Sequence, residues 1–234
     1  MKQRLAILIS GGGTTMTEII NASHSGLLNL DIACVISNNS DADGLNKASH
    51  LGIPIKDILV IPSKPRKDFG QRLLKELQKR DVTLVGQHGW LPLTPEIIIQ
   101  EYPNKIFNQH PGNPHLFGGK GMWGLTVHQT VIDFYHQTGQ EENSWMVVQK
   151  VSPEFDGGEV LSALPVKIQK NDTASTLQQR SLPIEHQNVI SFYQKLLANK
   201  IQPVNLTKLS DLNKSDQKIL QQCHQAAINM KLNS

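Results

Sequence analysis

The sequence predicts an α/β fold: a mostly parallel, twisted sheet with helices on both faces and antiparallel strands added in the C-terminal half. Three observations carry this reading. Short, wholly apolar runs stand where strands covered on both faces would lie, segments with helical apolar spacing separate them, and a glycine cluster follows the first run directly.

Leu5-Ala6-Ile7-Leu8-Ile9 is the first strand, closed by Gly11-Gly12-Gly13. Met16, Ile19 and Ile20 then share one helical face, and Thr15 with Glu18 three residues on has the spacing of a capping box. Residues 32–36 form a second apolar run that gives way to Ser37-Asn38-Asn39-Ser40, and a short helix follows, closed by Gly52 with Pro54 behind it. Residues 56–61 are read as a third strand. Phe69, Leu73, Leu74 and Leu77 mark a helix, and residues 82–85, β-branched and apolar, a fourth strand. Residues 105–111 are a short strand running into residues 111–124, whose five glycines and two prolines exclude a regular element and predict a long loop. Beyond it come a helix over 127–134, strands over 145–151 and 159–166, and a helical stretch over 173–200 that Pro183 should kink or divide. A weakly amphipathic helix around Ile219, Leu220 and Cys223 occupies the tail.

Composition sets the outer limits. The chain has 234 residues, 38% hydrophobic and 18% charged, which suits one ordinary domain or two small lobes. No run approaches the roughly 18–20 apolar residues of a membrane-spanning helix, and the first residues read as neither secretory signal nor anchor. A net charge of +3 without a long basic run gives no footprint for nucleic acid. Cys34 and Cys223 make neither a disulfide framework nor a metal-ligand spacing, so the expected setting is cytoplasmic and no metal is expected.

The glycine cluster before a helix start presents backbone N–H groups and the positive end of the helix dipole, which suits a small phosphate; Gly13, Thr14 and Thr15 are the candidate donors. Met16 stands where a dinucleotide fingerprint needs its third glycine, and no Gly-Lys-Ser/Thr follows as a P-loop would require. The sharpest constellation lies further on. Asn108 and His110, two apart on a strand, face one side together, an amide donor beside an imidazole. Asp156, in Pro153-Glu154-Phe155-Asp156-Gly157-Gly158, is the carboxylate available to orient the ring. This trio suits acyl transfer. A nucleophile elbow, Gly-x-Ser-x-Gly, is absent.

These motifs resemble, in order and spacing, those of the glycinamide ribonucleotide formyltransferase family: Ile9-Ser10-Gly11-Gly12-Gly13-Thr14-Thr15, Ile36-Ser37-Asn38 with Asp43-Gly44-Leu45, Gly89-Trp90-Leu91, Asn108-Gln109-His110-Pro111, Asp156-Gly157-Gly158 and Glu185-His186. The resemblance covers roughly residues 4–200, and residues 117–124 look like a loop variant found in some bacterial members. It implies a Rossmann-like formyltransferase fold and transfer of a formyl group from 10-formyltetrahydrofolate to the amine of glycinamide ribonucleotide in purine biosynthesis, without a metal. The implied roles are Gly13, Thr14 and Thr15 on the phosphate, Glu185 on the ribose, and Trp90, Leu91, Ser152, Pro153 and Glu154 against the folate. Asn108, His110 and Asp156 become the catalytic trio, with direct attack by the amine; His128 and Lys120 are secondary candidates near the substrate. Gln149 stands where many members have a histidine. The expected organisation is a formyltransferase domain over 1–205, with a phosphate-binding half 1–105 and a catalytic and folate half 106–205, then a helical tail 206–234. The expected partners are the two small molecules, with neither nucleic acid nor membrane, for a monomer or homodimer. An amino-sugar nucleotide acceptor, or a phosphate-ligand-binding domain without catalysis, are the alternatives.

Overall fold

The structure is a computed structural model and describes residues 2–232. Its elements follow the predicted alternation: β1 (Gln3–Ile9), α1 (Thr14–His24), β2 (Leu30–Ser37), α2 (Asp43–His50), β3 (Ile58–Val60), α3 (Phe69–Gln78), β4 (Leu84–Gln87), α4 (Glu96–Glu101), β5 (Ile106–His110), α5 (Pro114–Phe117), α6 (Leu125–Thr138), β6 (Asn143–Lys150), β7 (Val160–Lys167), α7 (Ala174–Leu197) and α8 (Lys214–Leu232). The seven strands take the order β3-β2-β1-β4-β5-β6-β7. Pairings among β1 to β5 are parallel, and β6 with β7 is antiparallel. This is the mostly parallel sheet, with antiparallel strands toward the C-terminus, that the sequence predicts.

The chain forms two compact units. Among the described residues, one comprises 2–109, 150–153 and 189–201 and the other 110–149, 154–188 and 202–232; 233 and 234, the end of the expected tail, lie outside the described residues.

The first unit has the β1 side of the sheet as its core. Residues 5–9 are fully enclosed, as a continuous apolar run covered on both faces must be. The stripe Phe69, Leu73, Leu77 of α3 joins Ala6, Leu8, Cys34, Ile36 and Trp90 in one apolar cluster. The second unit packs α6 and α8 with the β6–β7 pair around Phe117, Val131, Phe134, Met146, Leu177, Leu220 and Cys223.

Several elements depart from the sequence reading, each for a physical reason. The expected capping box is not formed: α1 begins at Thr14, Gly13 is its N-cap in the left-handed region (φ 65°), and no side chain caps it. Thr15 is thus already inside the helix, where its hydroxyl accepts from Gln109 instead. The strand expected over 56–61 opens as a 3-10 turn at Ile55–Asp57 and pairs only over β3. Residues 111–124 hold one helical turn, α5, started by Asn113, whose side chain accepts from the His115 amide, and by Pro114 at the first helical position. Pro183 does not divide α7. The bond missing at one carbonyl is offset by buried anchoring: Asn188 donates to Met146 O (2.7 Å) and accepts from Ser162 Oγ (2.6 Å).

Candidate active site

The first unit places the glycine loop, the candidate anion site, at the end of β1. Three consecutive carbonyls of the glycine loop are held by hydrogen bonds, two of them from α2 and one from α1. Gly11 O accepts from Gly44 N (3.1 Å), Gly12 O from Lys47 Nζ (2.8 Å), and Gly13 O from both Thr17 N and Thr17 Oγ1. In a trans peptide the C=O and the next N–H point in opposite directions. Holding these oxygens therefore turns the amides of Gly12, Gly13 and Thr14 the other way, with Gly12 and Thr14 at the surface. The first amides of a helix have no acceptor within it, and they point in the same sense as the dipole's positive end.

Close packing of α2 makes this possible. A Cβ on Gly44 would stand 2.4 Å from Ile9 Cδ1 and 3.0 Å from Gly11 O, so only glycine lets α2 approach the loop. Ser10 ties the neighbouring loops together: its hydroxyl donates to Asn38 Oδ1 (2.5 Å) and accepts from Leu91 N (3.0 Å), and its amide donates to Gly89 O (2.9 Å). The site thus lies at the carboxyl ends of β1, β2 and β4, where open α/β sheets bind ligands.

A buried polar chain runs behind it. Tyr193 OH meets His88 Nε2 (2.9 Å), His88 Nδ1 meets Gln109 Oε1 (3.0 Å), and Gln109 Nε2 donates to Thr15 Oγ1 (3.3 Å). The acceptor Gln109 Oε1 requires a proton on Nδ1 of His88, so Nε2 of the neutral ring accepts from Tyr193. Burial supports that state, pulling His88 down to a pKa of about 4. Gln109, between Asn108 and His110, therefore links their strand to the first turn of α1.

The second unit builds the acid–base pair. His110, almost fully buried, sends Nε2 to Phe117 O (3.1 Å) and Nδ1 toward Asp156 Oδ1 (3.5 Å). Both partners are acceptors, so the doubly protonated ring satisfies both. Two further donors fix the carboxylate: Gln149 Nε2 on Oδ1 (2.9 Å) and Gly119 N on Oδ2 (3.0 Å). Asp156 itself holds a left-handed backbone (φ 55°), a conformation that costs a non-glycine residue energy and recurs at functional sites. Gly118 admits the approach, since a Cβ there would meet Asp156 Cβ at 2.6 Å. His128 on α6 is buried beside this pair, its Nδ1 without a hydrogen-bond partner among the described residues. Burial first, and the charge of His110 second, pull it to about 4.

Of the residues expected in the site, Gly13, Thr14 and Thr15 open α1 in the first unit, where Leu91 is tied to Ser10, and His110 and Asp156 meet in the second, with His128 close enough to feel His110's charge. Asn108 shares β5 with His110 and pairs in register with Gln87. Trp90 stacks on Phe69 (6.1 Å) inside the first unit's core, whereas Leu91 is 40% exposed. Val151 N donates to Ile106 O, setting Ser152 and Pro153 beyond the start of β5; Glu154 belongs to the second unit. Glu185 lies partly buried on α7, and Lys120 is exposed in the loop after α5. Lys47, His88 and Gln109 were not among the expected residues. Lys47 could have been read from its place one helical turn after Gly44; His88 and Gln109 give no signal until the fold joins them.

An α/β sheet with a glycine loop after its first strand and a histidine–aspartate pair further along is a frame that suits a group-transfer enzyme. Residues 3–192 match the formyl transferase family, and the chain belongs to it. Within that family it is similar to phosphoribosylglycinamide formyltransferases. It is 32% identical to the chloroplastic enzyme of Arabidopsis thaliana over 79% of this chain and 62% of that one, so it spans about three-fifths of that relative's length. The enzyme of Haemophilus influenzae is 32% identical over 79% of this chain and 82% of its own. In fold, the glycinamide ribonucleotide transformylase 1 of Symbiobacterium toebii superposes with a TM-score of 0.76 at 24% identity, covering 87% of this chain and 95% of that one. No helix of the described residues is long and apolar enough to cross a membrane, and among them no group of histidine, cysteine, aspartate and glutamate could hold a metal ion.

Proposed function

We propose that this chain transfers a formyl group from 10-formyltetrahydrofolate to the amine of glycinamide ribonucleotide, in purine biosynthesis. The observation that carries the reading is the His110–Asp156 pair, with its carboxylate fixed by Gln149 and Gly119. The glycine loop supplies the second requirement, a phosphate cradle at Gly13, Thr14 and Thr15.

The acceptor's phosphate sits on those amides, with Lys47 adding charge from α2, and Glu185 takes the ribose hydroxyls. The amine attacks the formyl carbon directly. Charge developing on the formyl oxygen is met by the Asn108 amide and by the positive field of protonated His110, which Asp156 holds in place. As the tetrahedral adduct collapses the bond from the formyl carbon to N10 of the folate breaks, and the proton leaving the amine passes through this pair and water to that nitrogen, so tetrahydrofolate departs and the formamide stays on the acceptor. The folate ring lies against Leu91 and residues 152–154; the Trp90 ring is too enclosed to stack on it, so its contribution comes from the backbone of its loop. Two free, buried cysteines suit a reducing, cytoplasmic setting.

The test is a formyl-transfer assay with glycinamide ribonucleotide beside an amino-sugar nucleotide. Formylation of the sugar nucleotide alone would reassign the acceptor, and ribonucleotide binding without turnover would leave a binding domain. His110→Ala and Asp156→Asn should each lower kcat/KM by at least about a hundredfold while ribonucleotide binding changes little, the scale of acid–base and oxyanion effects. Near-normal kinetics in either variant overturns the catalytic assignment.

A further inference from the structure

Residues 202–232 lie beyond the stretch that matches the family, yet they hold the loop that carries the Phe117 carbonyl against His110. Leu220, Cys223, Ala227 and Ile228 of α8 recur at helical spacing and form its inward face, packed with Leu116, Phe117 and Met122 of the 111–124 loop. His224 falls on that same face. Its Nε2 lies 2.8 Å from Leu116 O; a carbonyl only accepts, so His224 carries its proton on Nε2 and donates. A second tie is made by Asn113, whose Nδ2 donates to Thr207 O (2.8 Å) while its Oδ1 caps α5.

The consequence follows from chain order. Leu116 and Phe117 are consecutive, so the carbonyl held by His224 is one peptide away from the carbonyl that receives His110 Nε2 (3.1 Å). Two residues further, the amide of Gly119 donates to Asp156 (3.0 Å). One fixed partner of each member of the acid–base pair therefore hangs on a four-residue stretch whose first carbonyl α8 clamps. We propose that residues 202–232 form a brace that sets the orientation of His110 and Asp156, with His224 as the positioning residue. The proposal rests on the reading of His110 as a catalytic group.

The experiment compares His224→Ala, His224→Phe and His224→Gln in the full chain. Loss of the donor in the first two should lower kcat about tenfold or more with KM for glycinamide ribonucleotide within about twofold, while His224→Gln, which keeps an N–H at comparable reach, recovers most of the rate. In a His110→Ala background the His224→Ala effect should vanish, because a brace acts only through what it positions. Native-state amide exchange at Gly119 should speed up about tenfold or more in His224→Ala and His224→Phe but not in His224→Gln. Full additivity with His110→Ala, or unchanged Gly119 exchange, overturns the proposal. Absence of formyl transfer in the unaltered chain would instead remove the functional reading, leaving the exchange experiment to decide the brace.

Discussion

At the scale of single residues, burial assigns two histidines a definite charge state. His88 and His128 are each held near a pKa of about 4, chiefly by exclusion from water, against an ordinary value of 6.5. Above 6.5 both rings are neutral whether the chain is folded or not, and the folded state loses nothing. Between 6.5 and about 4 the unfolded chain takes up protons that the folded chain refuses, so stability falls as the medium is acidified through that window. Each ring can contribute a slope of up to about 1.4 kcal/mol per pH unit. Urea unfolding midpoints should therefore drop steadily from pH 7 to pH 4. His88→Gln, which keeps a donor for Gln109 and an acceptor for Tyr193, should show a shallower decline. An identical decline in that variant would mean that His88 is not the group responsible.

At the scale of elements, the sequence was most legible where one period decided the outcome. The buried run of β1 and the stripe of α3 could be read directly, because full burial on both faces and an i, i+4, i+8 spacing leave few alternatives. It was least legible where tertiary contacts overrode a local rule. The Thr15–Glu18 spacing suggests a capping box, but the glycine turn starts the helix two residues earlier and gives the Thr15 hydroxyl to Gln109. Pro183 promises a break that the Asn188 anchors overrule, and α4, six residues long, is too short to leave a period. The junction of α2 with the glycine loop makes this coupling testable. Gly44→Ala forces a methyl group to within 2.4 Å of Ile9 and 3.0 Å of the Gly11 carbonyl, so α2 must withdraw, taking the Lys47 contact with it. Overpacking of this kind costs about 1–3 kcal/mol. The variant should melt several degrees lower and bind ribonucleotide about tenfold more weakly, with turnover of bound substrate less affected. Calorimetric melting and ribonucleotide titration read the two effects separately, and unchanged affinity would detach the loop's geometry from α2.

At the scale of the molecule, the order of motifs along the chain was readable, since Gly13, Thr14, Asn108, His110 and Asp156 sit at strand ends or glycine turns that sequence alone marks. What fixes those groups was not. The Phe117 carbonyl and Gln149 reach their partners across irregular loop backbone of seven residues, and Gly119 and the α8 brace do so across long intervals of chain; no helical or strand period encodes any of them. The same interleaving bears on how the protein unfolds. The chain passes from one unit to the other five times, and α7 contributes residues to both, so melting it strips both units at once. The two cysteines report on this, one in each unit. Cys34 is fully buried and its thiol is pushed up to about 12, chiefly by that burial; Cys223 is nearly as enclosed and raised in the same direction. Thiolate is the reactive form, so neither should react with a thiol reagent in the folded protein at neutral pH. In a urea series both should become labelled together, with one midpoint that coincides with loss of helical signal, as expected of a single cooperative transition. Labelling of Cys223 at a lower urea concentration than Cys34 would show instead that the α6–α8 unit opens by itself, and would place the brace on His110 in the less stable part of the molecule.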